Sequence, residues 1–215
     1  KDIIFVHHGD IKNARLISYL NQIMMKKCKN VSICVHLSSK HLQTSQELKE
    51  IPCKHLFVPL EFPLTPITKK PSKPLVIGFI GRLVKWKGVS TLIHAASMLQ
   101  ENNFIIAGDG PDLSRLENQI SDLGLQNVTL LGAVDPEHVN EQFYALIDVL
   151  VLTSNSTRES FGIVIAEAMS RGIPTIVADL DSGVQELAQN GKNSIMFIPD
   201  DAESLASKIS KLNNS

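Results

Sequence analysis

Three stretches of the sequence combine residue types that can hold an anion and a set of hydroxyls. The first, residues 81–88, reads Gly81-Arg82-Leu83-Val84-Lys85-Trp86-Lys87-Gly88. Glycine directly after an apolar run permits a tight turn and close backbone approach. Arg82 and Lys87 then place two fixed cations ahead of a helical segment. That combination suits a diphosphate, which needs charge neutralisation and several donors. The second, residues 107–111, reads Ala107-Gly108-Asp109-Gly110-Pro111. A strand-to-helix turn accounts for its composition; a ligand-facing role for Gly108 and Gly110 follows only if it shares a sheet edge with the first. The third, residues 158–169, contains Glu159 and Glu167 with seven residues between them. Phe161 or Gly162 opens a helix there, and the free amides of Phe161, Gly162, Ile163 and Val164 would form an anion site at its positive end. Carboxylates accept hydrogen bonds, so sugar or ribose hydroxyls are natural partners of the two glutamates. Glu159 is also accounted for by the helix dipole. Glu167 sits among Ile165, Ala166, Ala168 and Met169, where plain solvation fits poorly.

The elements that must position these stretches alternate along the chain. Residues 75–80, 104–107, 128–131, 148–152, 175–178 and 195–198 are short apolar runs, predicted as strands. Val89, Leu92, Ile93, Ala96 and Leu99 recur at helical spacing between the first two. Leu113, Leu116, Ile120 and Leu123 are expected to face inward from a further helix that has Pro111 near its first turn and ends at Gly124. Asp135 is expected to cap a helix beginning with Pro136. Strands apolar on both faces mark a parallel sheet covered by helices. The fold class is therefore α/β, a doubly wound Rossmann-like parallel sheet with its ligand at the carboxyl ends of the strands.

Pro59, Pro63, Pro66, Pro71 and Pro74 are half of the ten prolines and fall within residues 59–74. Proline removes an amide donor and fixes φ, so this stretch is expected to be a linker. Residues 1–58 before it form a smaller α/β segment. Strands are expected at residues 3–6, 31–35 and 56–58, with helices over residues 11–24 and 38–49. Three strands and two helices bury too little surface for a stand-alone domain, which suggests the remnant of a larger unit. Residues 75–215 form the main domain.

Composition narrows the classes of function. The formal charge is −1, so the basic footprint of nucleic-acid binding is absent and an anionic ligand needs a local site. No apolar run approaches the roughly 18 residues of a spanning helix, and no leader is evident, which predicts a cytoplasmic protein. Cys28, Cys34 and Cys53 lack a paired spacing and read as reduced thiols. His7 and His8 show no metal-ligand spacing and are expected to be incidental.

The ordered series GRLVKWKG, AGDGP, LLGAV and ESFGIVIAEAM resembles the C-terminal donor-binding domain of GT-B-fold retaining glycosyltransferases, in the large family-four group. The likeness covers about residues 75–212, and the Glu159–Glu167 pair is its most specific element. It implies that Arg82 and Lys87 grip a donor diphosphate and that Glu159 lies near the transferred sugar. The amides of Phe161, Gly162, Ile163 and Val164 would cradle phosphate and sugar, and Glu167 would accept from the ribose. Gly81, Gly108 and Gly110 would line the donor site, and residues 132–134 would meet the nucleobase, with Val134 among the contacts. Arg82, Lys87 and Glu159 are then the catalytic set. The implied reaction moves a sugar from a nucleotide diphosphate sugar to a hydroxyl acceptor with retention, in glycan or glycolipid biosynthesis. No cofactor and no metal are expected, because the cations replace a metal. Peripheral membrane association is implied only through the part of the family's N-terminal half that residues 1–58 do not cover.

The sequence departs from the family pattern at Thr153-Ser154, where Pro-Ser is common, at Asp181-Ser182-Gly183, and at Asn193-Ser194. These departures are expected to leave the charged cluster untouched and to bear on donor preference instead. Two other readings stay open: a nucleotide-sugar binding module without turnover, and a GT-B-like epimerase. G-x-G-x-x-G and the P-loop are absent, which disfavours a dehydrogenase or a P-loop nucleotidase. Asn30-Val31-Ser32, Asn127-Val128-Thr129, Asn155-Ser156-Thr157 and Asn213-Asn214-Ser215 are glycosylation sequons expected to be fortuitous without a secretion signal, and a glycan on Asn155 would crowd the expected cleft.

Overall fold

The computed structural model describes residues 3–6, 31–36, 54–57, 66–67 and 70–213. The expected helices over residues 11–24 and 38–49, His7, His8, Cys28 and Cys53 lie outside the described residues. Two compact units are present. The first comprises Lys1–Glu61, Thr157–Phe161 and Asp181–Glu186. Its strands β1 (Ile3–Val6), β2 (Val31–His36) and β3 (Lys54–Phe57) form a parallel sheet in the order β1-β2-β3.

The second unit carries a sheet of six strands: β4 (Val76–Ile80), β5 (Asn103–Ala107), β6 (Val128–Gly132), β7 (Val149–Leu152), β8 (Thr175–Ala178) and β9 (Ile195–Phe197). Their order is β6-β5-β4-β7-β8-β9, and every pairing is parallel. The chain winds outward from β4 to β6, then returns to the centre and winds the other way from β7 to β9. β4 and β7 therefore flank the point where the winding reverses, and a crevice must open beyond their carboxyl ends.

β7 and β8 are buried along their whole length, as a sheet covered on both faces requires. Alternate residues feed two cores. Ile77, Phe79, Phe104, Ile106, Val149 and Val151 pack with helices α1 (Val89–Met98), α2 (Leu113–Asp122) and α5 (Ala202–Asn213). Leu150 and Ala107 join Phe143, Tyr144, Ile147 and Ala168 in the second core, with α3 (Ile163–Ser170). A short turn, α4 (Val184–Leu187), precedes β9. Gly78 faces this second core because a Cβ there would lie 2.5 Å from Ile147 Cγ2. At the start of β7, buried Asp148 accepts a hydrogen bond from the Val76 amide at 2.8 Å and ties β7 to β4. Ile67, inside the expected linker, donates to the Arg171 carbonyl at 2.9 Å.

Two expectations need correction. Leu123 is 41% exposed, not inward. The α2 helix ends there, Gly124 takes the left-handed conformation, and Leu125 folds back to be buried instead. The helix expected from Pro136 is a 3-10 turn over Pro136–His138 followed by a π turn over Asn140–Tyr144. Asp135 does cap the first of these, accepting from the Glu137 amide at 2.9 Å.

At the start of α2, Asp112 does not cap the helix with its side chain. Its carboxylate instead takes both Arg115 donors, Nε and Nη2, each at 2.7 Å. These bonds hold the Asp112 pKa below the usual carboxylate range, against the upward pull of burial. A depressed folded-state pKa adds stability above the unfolded value, and this is lost as the pH falls through the folded one. Arg115→Met is therefore expected to begin acid unfolding at higher pH than the unmodified chain. Circular dichroism against pH measures this, and an unchanged midpoint would refute the pairing's role.

Candidate functional site

The loops that leave β4 and β5 are bound together through their backbones. The Leu83 amide donates to the Asp109 carbonyl at 2.8 Å, and the Asp112 amide returns to the Leu83 carbonyl at 3.1 Å. The Gly108 amide reaches the Gly132 carbonyl at 2.7 Å, fixing the loop after β6 as well. This approach leaves no room for side chains. A Cβ on Gly108 would lie 1.9 Å from the Gly81 carbonyl oxygen, and one on Gly110 would lie 2.2 Å from that of Leu83. Both glycines thus have a packing role whatever the loops face.

The loop after β4 is also fastened to the loop after β7. The Thr153 hydroxyl donates to the Lys87 carbonyl at 2.7 Å, and the Asn155 amide donates to the Trp86 carbonyl at 2.9 Å. Lys87 Nζ stands 4.8 Å from the Trp86 ring centroid. The expectation that the sequence departures spare the charged cluster therefore fails at Thr153, which touches the Lys87 backbone directly. The Asn155 side chain in turn donates to Asp200 at 2.8 Å, and Asp200 holds a left-handed backbone at φ 59°.

Helices follow both loops, and glycine caps both. Gly88 (φ 65°) precedes α1 and Gly162 (φ 75°) precedes α3; neither helix start carries a side-chain cap. At α3 the Ile165 amide bonds the Gly162 carbonyl at 2.8 Å, so the helix proper begins at Ile163. Its first-turn donors are Ile163 and Val164. A glycine cap supplies no oxygen of its own, so these amides suit an external anion. Ile163 is 41% exposed, as access to such a site requires.

The remaining expected residues are distributed as follows. Arg82 is exposed and Lys87 half-buried, both on the loop after β4. Gly81 donates to the Ala107 carbonyl at 3.0 Å, and Val134 is partly buried beside the second core. Glu159 and Phe161 fall in Thr157–Phe161, which groups with the first unit, and Glu159 is buried. Glu167 lies on α3, half-buried, and its Oε2 accepts the Tyr144 hydroxyl at 2.6 Å. Among the described residues, no cluster of His, Cys, Asp or Glu could hold a metal ion, and no helix is long and apolar enough to cross a membrane.

Sequence reasoning names Thr153 and Trp86 without giving them a role, and misses Tyr144 and Arg171. The available signal was weak: adjacent aromatics at 143 and 144 without helical periodicity, and an arginine just after an apolar helix.

Comparison with known proteins gives a consistent set of likenesses. The family described as Glycosyl transferases group 1 matches residues 64–215. An exopolysaccharide phosphotransferase of Streptomyces coelicolor is 39% identical over 136 residues, covering 61% of this chain and 14% of that protein. A 2-deoxystreptamine N-acetyl-D-glucosaminyltransferase of Niallia circulans is 27% identical, covering 99% of this chain and 51% of that protein. The chain therefore spans from 14% to about half of the length of these relatives. Anabaena HepE, solved with UDP and glucose, shares the fold with a TM-score of 0.77 at 23% identity, over 98% of this chain and 61% of that one.

The close loop approach gives a stability prediction. Gly108→Ala combines a φ of 137° with the clash at Gly81. It should cost about 3 kcal/mol or more, roughly 6–12 °C of melting temperature. Gly124→Ala meets nothing within 4 Å and carries only left-handed strain, about 1–2 kcal/mol. Equal losses in thermal denaturation would refute the packing argument.

Proposed function

We propose a donor-side role for this chain, which belongs to the glycosyl transferases group 1 family: it binds a nucleoside diphosphate sugar at the carboxyl ends of β4 and β7 and supplies the groups that stabilise the departing diphosphate. The observation that carries this reading is the pair of glycine-capped helix starts, Gly88 and Gly162, that follow these two strands, with Lys87 fastened beside Thr153. In the proposed reaction the bond between the anomeric carbon and the diphosphate oxygen breaks. The electron pair leaves with the diphosphate, and an acceptor hydroxyl bonds to the same face of the sugar while its proton passes to the departing diphosphate oxygen. Negative charge then grows on the leaving oxygens. Lys87 and Arg82 meet it with their charge, and the amides of Ile163 and Val164 meet it as fixed donors that need no reorganisation. Glu159 is assigned to the transferred sugar and Glu167 to the ribose. Gly81, Gly108 and Gly110 shape the floor, and Val134 lies toward the base.

The family assignment and the bottom-up chemistry of the loops support this reading together. The acceptor is a hydroxyl of a glycan, lipid-linked or small molecule. Residues 59–74 are assigned as the linker between residues 1–58 and the donor domain. Uracil is the first base to test, because HepE is described with UDP. The thiol composition fits a cytoplasmic setting.

The test is calorimetry and thermal shift with UDP, GDP and ADP and their sugars, followed by a donor-hydrolysis assay. A true ligand at 100 times its Kd should stabilise the chain by about 2.7 kcal/mol. Lys87→Ala should weaken diphosphate binding about tenfold or more, since a hydrogen bond to a charged group is worth about 1.5–3 kcal/mol. Turnover should fall by about 100-fold. Unchanged affinity in the variant would sink the assignment of Lys87. Tight binding with no donor cleavage would favour the binding-module reading.

A further inference from the structure

The π turn that follows the 3-10 segment builds an arrangement that packing alone does not need. Its extra residue per turn is closed by the Ala145 amide donating to the Asn140 carbonyl at 2.7 Å. As a result the consecutive residues Phe143 and Tyr144 both turn inward and are fully buried, with ring centroids 5.2 Å apart in an edge-to-face pair. A second phenylalanine would fill the same space. Tyr144 adds a hydroxyl, and that hydroxyl donates its one proton to Glu167 Oε2.

Behind the ring stands a buried cation. Arg171 is 4% exposed, and its guanidinium carbon lies 4.4 Å from the Tyr144 ring centroid. Its Nε donates to Asn140 Oδ1 at 2.6 Å, and its Nη1 donates to the Glu167 carbonyl at 2.7 Å. Nη1 also reaches the Ser170 hydroxyl at 3.3 Å. Arg171 thus clamps the π turn, the tyrosine ring and the backbone of Glu167 to one another. Burying a charge is costly unless its donors are satisfied, and here three acceptors take the protons of Nε and Nη1 while the guanidinium faces an aromatic ring. Burial and the neighbouring Glu167 push the Tyr144 hydroxyl above its ordinary pKa, so it stays a donor across the physiological range.

The mechanical result concerns Glu167. With Oε2 held, the long side chain has lost rotational freedom before any ligand arrives. Immobilising such a side chain at the moment of binding costs about 0.5–1.5 kcal/mol, and a pre-fixed carboxylate avoids that cost. We propose that Tyr144, braced by Arg171, is a positioning residue that holds the Glu167 carboxylate so that its second oxygen receives the ribose hydroxyls of a nucleoside diphosphate. This rests on the donor reading given above and adds to it the device that sets ribose recognition.

The experiment is calorimetric titration of the full chain with UDP, GDP and ADP and with their 2′,3′-dideoxy counterparts. Tyr144→Phe should bind the ribose form about tenfold more weakly, with affinity for the dideoxy form within about twofold of the unmodified chain. Glu167→Gln should erase the same preference, and adding Tyr144→Phe to it should change nothing further. Should Tyr144→Phe fail to fold, Asn140→Ala loosens the Arg171 clamp and is expected to give a smaller, equally ribose-selective loss. Equal weakening toward both forms, or none, overturns the positioning role. An unchanged ribose preference in Glu167→Gln overturns the assignment of Glu167 while leaving diphosphate binding intact. If no diphosphate binds the unmodified chain, the donor reading falls and this inference with it.

Discussion

The reversal of winding between β4 and β7 is the constraint from which the candidate site follows. Two adjacent parallel strands end side by side, yet the chain leaves them toward opposite flanks of the sheet. A gap is unavoidable there, and it is floored by whatever the two exit loops supply. The chain supplies backbone donors at two helix starts, two cations on one loop, and a threonine that fastens that loop to its neighbour. None of these groups is costly to place, because each belongs to an element that the apolar sheet has already ordered. Residues on the sheet itself set the spacing of the loops.

The polar groups near this gap are not distributed as a solvated surface would have them. Thr153 and Ser154 are fully buried, and Arg171, just after α3, is nearly so. A buried polar side chain is tolerated when its hydrogen bonds are met. Thr153 meets its need at the Lys87 carbonyl, and Arg171 at Asn140, Ser170 and Glu167. The arrangement resembles a frame in which packing orders the backbone and buried hydrogen bonds fix a few directions. The second core, with Phe143, Tyr144 and Ile147 against Gly78, holds the frame's far side.

The legible part of this structure is the part governed by periodicity. The apolar runs of β4, β5, β7 and β8 exceed any competing signal, and helix α1 follows from its spacing of Val89, Leu92, Ile93 and Ala96. The glycine-bearing loops were legible for a related reason, since a glycine after a strand announces a tight backbone. What stayed hidden depends on contacts between distant residues. The π turn has no pattern of its own, because an extra residue per turn breaks the very period used to find helices. Leu123 fits the helical stripe but lies beyond the last turn, where Gly124 redirects the chain and Leu125 takes the buried place. In sequence Thr153 is only a departure from the family pattern; its meaning lies in a hydroxyl that reaches 66 residues back along the chain.

Asn155 carries a consequence for how the protein can be made. Its backbone amide supports the Trp86 carbonyl, and its side-chain nitrogen is committed to Asp200, a residue held in a backbone conformation that few side chains adopt willingly. An oligosaccharyl transferase acting on that same nitrogen would replace one of its protons and load it with a bulky substituent. The strut between the β7 exit and the turn before α5 would then be pushed apart. Production in a yeast or insect secretory host risks a chain misassembled at this corner, whereas a bacterial cytoplasm leaves the nitrogen bare and the strut in place.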